Sequence, residues 1–434
     1  MSSISSWWNL SPAQTAEAEL FLVRKSGYFG GATVGNASAC TVDGPDALSA
    51  AYRLVSESAK DAQPPASGPA KFFTVGTQRA SDGKVGCIRL VDIGAPPAGT
   101  SREGMLSRLG LRHHPRQINT LEIGTPVPRA EQDPNEQKVV LVHGYAAGLA
   151  FFYRNMQMFG SLPNSRFFAL DWLGMGRSSR PPYALPPSKA RSAERVKAAE
   201  SYFLASLEQW REKMQIDKMV LVGHSLGGYL SVAYALRYPE RVERLVLVSP
   251  VGIPEGSWQP AAASERLAEG EAASNDAASD HSDSSGKAPV PPRRLNTRTL
   301  SMLGWLWDRN VSIFGLLRST SFFAPWLVSG YTRRRFANIP PEELQLSDIL
   351  APGAYARSPL IHRINKLKMP TLFLYGDSDW MDIRGAQDAQ RLLRDAGNLD
   401  TRVLKIPKAG HHLYLDNPRR VNEALAAFLL RRAP

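Results

Sequence analysis

The sequence predicts an α/β fold, a mostly parallel central sheet with helices on both faces and an inserted cap. Three observations predict it. From Lys138 onward, short apolar runs rich in β-branched residues alternate with helix-like segments, the pattern of strands buried on both faces. A glycine-flanked serine, Gly223-His224-Ser225-Leu226-Gly227, stands between one such run and a helical segment. About 120 residues then separate the fourth apolar run from the fifth, far more than one crossover helix needs.

The elements follow in order. Before residue 125 the chain is rich in Ala, Gly, Pro and Ser, with scattered apolar pieces such as "KFFTV" and "KVGCIRLVDI". These are expected to be strands of an antiparallel preface joined by long loops. The parallel strands are expected at 138–142, 166–170, 218–223, 244–249, 371–375 and 402–406. Val196, Ala199, Phe203, Leu207 and Trp210 recur at helical spacing and place a helix over about 190–213. A last helix is expected from Asn417-Pro418, a polar cap followed by proline at the first helical position. The chain thus divides into an N-terminal extension with its preface (1–125), a first core half (126–255), a cap (256–365) and a second core half (366–434).

Within the cap, residues 259–292 are Ala-, Ser- and acid-rich without aromatics beyond the flanks, and are expected to be disordered. The following stretch carries Trp305, Trp307, Phe314, Phe322, Phe323 and Trp326. From residue 291 to 335 it holds eight arginines, Arg333, Arg334 and Arg335 among them, against one acidic residue. A basic, aromatic, amphipathic segment of this kind suits an anionic membrane surface, the plainer alternative being a lid packed on its own core.

Composition narrows the function classes. With 434 residues, 43% hydrophobic and 21% charged, the chain can bury a large core, which excludes wholesale disorder. A net charge of +12 asks for an anionic partner. No zinc-finger spacing or RNA-recognition signature accompanies it, so a nucleic-acid partner is not expected. Cys40 and Cys87 are the only cysteines; they make no metal site or disulfide framework, no cofactor is called for, and a reducing compartment is expected. No run reaches the ~18 apolar residues of a spanning helix, and the N-terminus lacks the pattern of a signal peptide. Trp7 and Trp8 suit either a membrane interface or simple packing.

The chemistry centres on Ser225. A G-x-S-x-G pentapeptide between strand and helix makes a sharp turn that lifts the serine above the sheet edge. Serine needs a base held by an acid, and the expected chain order is Ser, then Asp or Glu, then His. "YGDSDWMD" offers Asp379 as the acid, Asp382 as the alternative, and Asp377 as a turn former. "GHHLYLDNP" offers His411 as the base, with His412 a packing residue. The same stretch holds His411-x4-Asp416, a spacing also found in glycerolipid acyltransferases, although Asp is in any case favoured beside a helix start. Oxyanion donors are expected from the backbone N–H groups of Leu226 and of Tyr145, in the turn "HGYAAG". His143 reads as a structural hydrogen-bonding residue, and Arg177 and Arg180 in "DWLGMGRSSRP" are candidates for a phosphate.

"HGYAAGLAFFYRN", "DWLGMGRSSRP", "GHSLGGYLSVAYALRYPERV", "YGDSDWMD" and "GHHLYLDNP" together resemble the α/β-hydrolase-fold family. They are similar to its lipid-metabolising branch, which includes a lipid-droplet lipase co-activator, a fungal cardiolipin-specific phospholipase and lysophosphatidic acid acyltransferase-like proteins. The resemblance covers most of residues 138–434. It implies a phospholipid substrate with an acyl ester as the reacting bond, cardiolipin favoured. Acyl transfer through His411 and Asp416 and a non-catalytic lipid-surface scaffold are the alternatives; the co-activator lacks the serine that this chain keeps. The resemblance also implies a peripheral place on an intracellular membrane, the mitochondrial inner membrane ahead of lipid droplet or endoplasmic reticulum.

Overall fold

In a computed structural model of the chain, the described residues are 12–30, 33–36, 45–58, 72–76, 79–96, 115–181, 192–256, 346–351 and 355–430. Trp7, Trp8, Cys40, the stretch 259–292, Trp305, Trp307, Arg333, Arg334 and Arg335 lie outside them. The expectations of disorder and membrane contact therefore fall on residues that are not described.

Helix α1 (Pro12–Val23) is followed by β1 (Thr33–Asn36), α2 (Ala47–Ser58), β2 (Phe72–Val75), β3 (Val85–Asp92) and β4 (Gln117–Gly124). Next come β5 (Gln137–Val142), α3 (Met156–Ser161), β6 (Ser165–Leu170), α4 (Ser192–Lys213), β7 (Met219–His224), α5 (Leu226–Arg237) and β8 (Val242–Val248). Three short elements, α6 (Leu346–Ile349), β9 (Leu350–Ala351) and β10 (Tyr355–Ala356), precede β11 (Thr371–Gly376). The chain ends with α7 (Ile383–Asp395), β12 (Thr401–Ile406), α8 (Leu413–Asp416) and α9 (Pro418–Leu429).

Among the described residues, ten strands form one sheet in the order β1-β2-β3-β4-β6-β5-β7-β8-β11-β12. Pairings from β1 to β6 are antiparallel, and those from β6 to β12 are parallel. All six parallel strands lie within two residues of the ends predicted from sequence. The alternation of side chains along each strand splits the core into two layers. Val139, Leu141, Val220, Val222, Val246, Val248, Leu372 and Leu374 pack toward Leu20, Phe159, Val421, Leu425 and Phe428. Their neighbours Val140, Val142, Leu221, Leu245, Leu247 and Phe373 pack toward Phe203, Leu207, Trp210, Tyr229 and Leu230. Each such aliphatic or aromatic side chain contributes roughly 1.5–3 kcal/mol on burial, which is why strands bare of polar residues are legible in the sequence.

β4 was not legible, because three of its buried residues are polar. Asn119 donates to Glu19 and Asp171, at 2.9 and 2.8 Å. Thr120 accepts a hydrogen bond from the Trp210 indole at 3.0 Å. Glu122 pairs with both Arg89 and Arg166 at 2.7 Å. Buried polar groups persist only when paired, and the partners here come from β3, β6, α1, α4 and the β6–α4 loop.

Asn119 also ties α1 to the sheet, through Glu19, which pairs with Arg177 as well. Burial pushes the Glu19 carboxyl up to about 7, against the pull of Arg177 and with the Asp171 charge adding to the rise. Between the ordinary carboxylate value of 4.5 and about 7, the unfolded chain has lost this proton while the folded chain keeps it. Stability from this group therefore falls as pH rises through that window and levels off above it. Glu19→Gln is expected to gain on the wild type as pH goes from about 5 to about 7.5, read as the difference of melting temperatures. A difference that stays constant with pH would show that Glu19 is ionised throughout.

Candidate active site

The end of β7 delivers Ser225 in a backbone conformation that L-residues avoid, with φ 53° and ψ −116°. Neighbours hold it there. Its N–H donates to the Val248 carbonyl at 2.9 Å, and its own carbonyl accepts from Tyr229 N–H at 3.1 Å and Val251 N–H at 3.2 Å. The turn after β5 closes on this elbow. A Cβ at Gly227 would lie 2.5 Å from the His143 carbonyl oxygen, and one at Gly144 would lie 2.8 Å from the Ser225 Cβ. Only glycine permits either approach, so the turn carrying Tyr145 sits directly against the serine. Leu226 is the first residue of α5, whose N–H has no intrahelical acceptor. Both sequence-predicted oxyanion donors thus flank the elbow.

His411 Nε2 lies 3.0 Å from Ser225 Oγ, and its Nδ1 lies 3.1 Å from Asp379 Oδ1. In the productive tautomer the Ser225 hydroxyl donates to Nε2 and Nδ1–H donates to the carboxylate. Burial raises the Asp379 carboxyl, but hydrogen bonds from His411, Ser249 and the Met381 N–H outweigh that and hold it below the usual carboxylate range. The Ser249 hydroxyl donates to the second Asp379 oxygen. Asp379 stays ionised and fixes the imidazole, the arrangement that a serine nucleophile would need.

The other predicted residues take separate places. Asp382 is a cap: its carboxylate accepts from Arg384 N–H at the start of α7 at 2.9 Å and pairs with the Arg384 guanidinium. Asp377, expected to form a local turn, instead accepts from the N–H groups of Lys408 and Ala409 in the loop after β12, at 2.9 and 3.0 Å. The Asp416 carboxylate accepts from Gly410 N–H at 2.9 Å, while the two His411 ring nitrogens lie against Asp379 and Ser225. His412 lies beside Tyr414, whose hydroxyl is 2.9 Å from its Nδ1. His143 is fully buried, and its ring and carbonyl bond the Trp172 backbone and indole N–H groups at 3.3 and 3.0 Å.

Arg177 and Arg180, the candidates for a phosphate, both make contacts within the protein. The Arg177 guanidinium is committed to Glu19, and that of Arg180 donates to the Ser178 and Gly176 carbonyls at 3.2 and 2.9 Å. These contacts tie the β6–α4 loop to itself and to α1.

Three contributors were missed by reading the sequence. Ser249 was hidden because "LVSP" looks like an ordinary strand exit. Asp171 accepts from the N–H groups of Leu149 and Arg177 at 2.7 and 2.8 Å, joining the turn after β5 to the loop after β6. Its signal was present in "DWLGMG", an acidic residue leaving an apolar strand. His224, the variable residue before the nucleophile, bonds the His411 carbonyl through Nε2 at 3.0 Å; no spacing rule announces that contact.

The model for the alpha/beta hydrolase fold matches residues 138–418, from the first parallel strand to the start of α9. The chain belongs to the α/β-hydrolase-fold family. This α/β hydrolase is 29% identical, over 77% of its chain and 75% of the relative, to a probable 1-acylglycerol-3-phosphate O-acyltransferase of Oryza sativa. It is 30% identical to the 1-acylglycerol-3-phosphate O-acyltransferase of Arabidopsis thaliana over 76% of its chain and 72% of that protein. It is also 30% identical to a (lyso)-N-acylphosphatidylethanolamine lipase of Mus musculus over 65% of its chain and 76% of that protein. The branch suggested by the sequence motifs is therefore the branch in which these relatives fall.

The geometry separates the two candidate acids. Asp379→Asn is expected to lower kcat on a simple ester about 10⁴-fold by allowing the wrong imidazole tautomer. Asp382→Asn keeps a good helix cap and is expected to leave kcat within about twofold. Steady-state kinetics on a p-nitrophenyl ester check both, and a large loss with Asp382→Asn would reassign the acid.

Proposed function

We propose that this α/β hydrolase cleaves an acyl ester of a membrane glycerophospholipid through an acyl-serine intermediate. The observation that carries the reading is the hydrogen-bonded series Ser225 Oγ, His411 Nε2, His411 Nδ1, Asp379 Oδ1, with spacings of 3.0 and 3.1 Å. Ser225 Oγ attacks the ester carbonyl while His411 takes its proton. The Tyr145 and Leu226 N–H groups stabilise the oxyanion. On collapse the proton passes from His411 to the departing lysolipid oxygen, and the acyl group stays on Ser225. Water, deprotonated by His411, then releases the fatty acid.

The lipid part of the reading rests on the relatives, each named for an acyl reaction of a phosphate-bearing glycerolipid. The net charge of +12 supports an anionic substrate surface, cardiolipin being the lipid we favour, and a peripheral position on the membrane that holds it. Acyl transfer is the second reading, supported by the acyltransferase names. The contact between Asp416 and the Gly410 backbone argues against a direct His411/Asp416 route. In this protein, transfer would use the same acyl-Ser225, with a lysolipid hydroxyl in place of water.

Purified protein incubated with phosphatidylcholine vesicles, with and without cardiolipin, is expected to release fatty acid and lysolipid, measured by mass spectrometry. Cardiolipin is expected to be cleaved faster. Ser225→Ala is expected to reduce turnover at least about 10³-fold, and to abolish acyl transfer to lysophosphatidic acid equally. Full transferase activity in Ser225→Ala would overturn the acyl-serine route. Absence of acyl turnover by the wild type would leave the chain a lipid-surface scaffold.

A further inference from the structure

The histidine of the triad stands on a loop, not on a helix or strand, and a 1 Å misplacement of a reacting group is enough to cost orders of magnitude in rate. What immobilises this loop can be traced atom by atom. Three consecutive backbone N–H groups lead into His411, and each is taken by a carboxylate. Lys408 N–H donates to Asp377 Oδ2 at 2.9 Å, Ala409 N–H to Asp377 Oδ1 at 3.0 Å, and Gly410 N–H to Asp416 Oδ2 at 2.9 Å. On the far side, the His411 carbonyl lies 3.0 Å from His224 Nε2. A carbonyl can only accept, so His224 carries its proton on Nε2. Its burial, with the adjacent His411 adding to the effect, keeps the ring well below its ordinary pKa and therefore neutral.

The two ends of the clamp come from different places. Asp377 leaves β11 two residues before the triad acid, so one loop positions both the acid and the base. Asp416 closes from the C-terminal side: α8 turns the chain back through the N–H groups of Leu415 and Asp416 on the His412 carbonyl, at 2.7 and 3.1 Å. That single turn is what returns a carboxylate to Gly410. The spacing of five positions from His411 to Asp416 is the length of this turn.

We infer that Asp416 is a positioning residue for His411: its carboxylate, with Asp377 and His224, clamps the loop backbone so that the imidazole stays on Ser225. The histidine-x4-aspartate spacing is then a backbone clamp and not a proton-transfer pair, because Asp416 contacts the Gly410 amide and leaves the ring to Asp379. The inference rests on Ser225 as nucleophile and is independent of which lipid is cleaved.

The test uses a fluorophosphonate probe, which reports serine activation without any lipid substrate. Ser225 Oγ forms a bond to phosphorus, fluoride leaves, and His411 takes the hydroxyl proton. Second-order labelling rates are measured for the full-length wild type, Asp416→Ala and Asp416→Asn, with melting temperatures alongside. Asn keeps a carbonyl oxygen for the Gly410 N–H, whereas Ala removes the acceptor. Asp416→Ala is expected to label about tenfold more slowly with an unchanged pH midpoint, and Asp416→Asn within about twofold of wild type. On a p-nitrophenyl ester the Ala variant is expected to lose kcat with KM unchanged. Wild-type labelling by Asp416→Ala, or equal loss in Asp416→Asn and Asp416→Ala, overturns the clamp. Should Asp416→Ala fail to fold, the Asn variant decides: near wild-type labelling supports the clamp and a tenfold loss overturns it. A wild type that does not label at all would instead refute Ser225 as nucleophile.

Discussion

The backbone of Ser225 is the constraint around which the site is arranged. A non-glycine residue at φ 53° and ψ −116° is strained, at a cost of about 1–3 kcal/mol. It persists because the surrounding contacts leave no relaxed alternative: β8 takes the Ser225 N–H, and α5 and the segment after β8 take its carbonyl. The reward is chemical. The same strain that exposes Oγ to His411 also sets the first N–H of α5 beside it, so the proposed nucleophile and one proposed oxyanion donor come from one turn.

Around that elbow, the partners are held by hydrogen bonds to the backbone as much as by packing. Asp171 fixes the turn after β5 through the Leu149 N–H. Ser249 and the Met381 N–H fix Asp379. Asp377, Asp416 and His224 fix the loop that carries His411. Apart from the Met381 N–H and Asp416, which ends α8, these are polar side chains at or just beyond the carboxyl end of a strand, where backbone groups have left the ladder and need partners. The carboxyl ends of the strands therefore supply both the Ser225, Asp379 and His411 cluster and the reason for its polar neighbours.

The N-terminal part joins this system instead of standing apart. β4 pairs with β6, and its Asn119 bridges Glu19 of α1 to Asp171. Arg177, read from sequence as a candidate for a phosphate, is part of the same bridge. A buried network of this type is costly when any member is removed, and it connects α1 to the turn beside the nucleophile through a handful of residues.

By itself the sequence determined the parallel strands, a helix over about 190–213, a last helix from Asn417-Pro418 and a serine between strand and helix. These rest on local periodicity and on a pentapeptide that one turn of chain can satisfy. The sequence put Asp379 ahead of Asp382, but only the tertiary structure shows which carboxylate meets a ring 32 residues away in the chain. It alone revealed β4, whose polar residues are satisfied by partners from distant segments. It also gave Asp416, Ser249 and His224 their roles. Hydrogen bonds between residues far apart in sequence leave no period or spacing to read, because their geometry exists only once the sheet has brought the loops together.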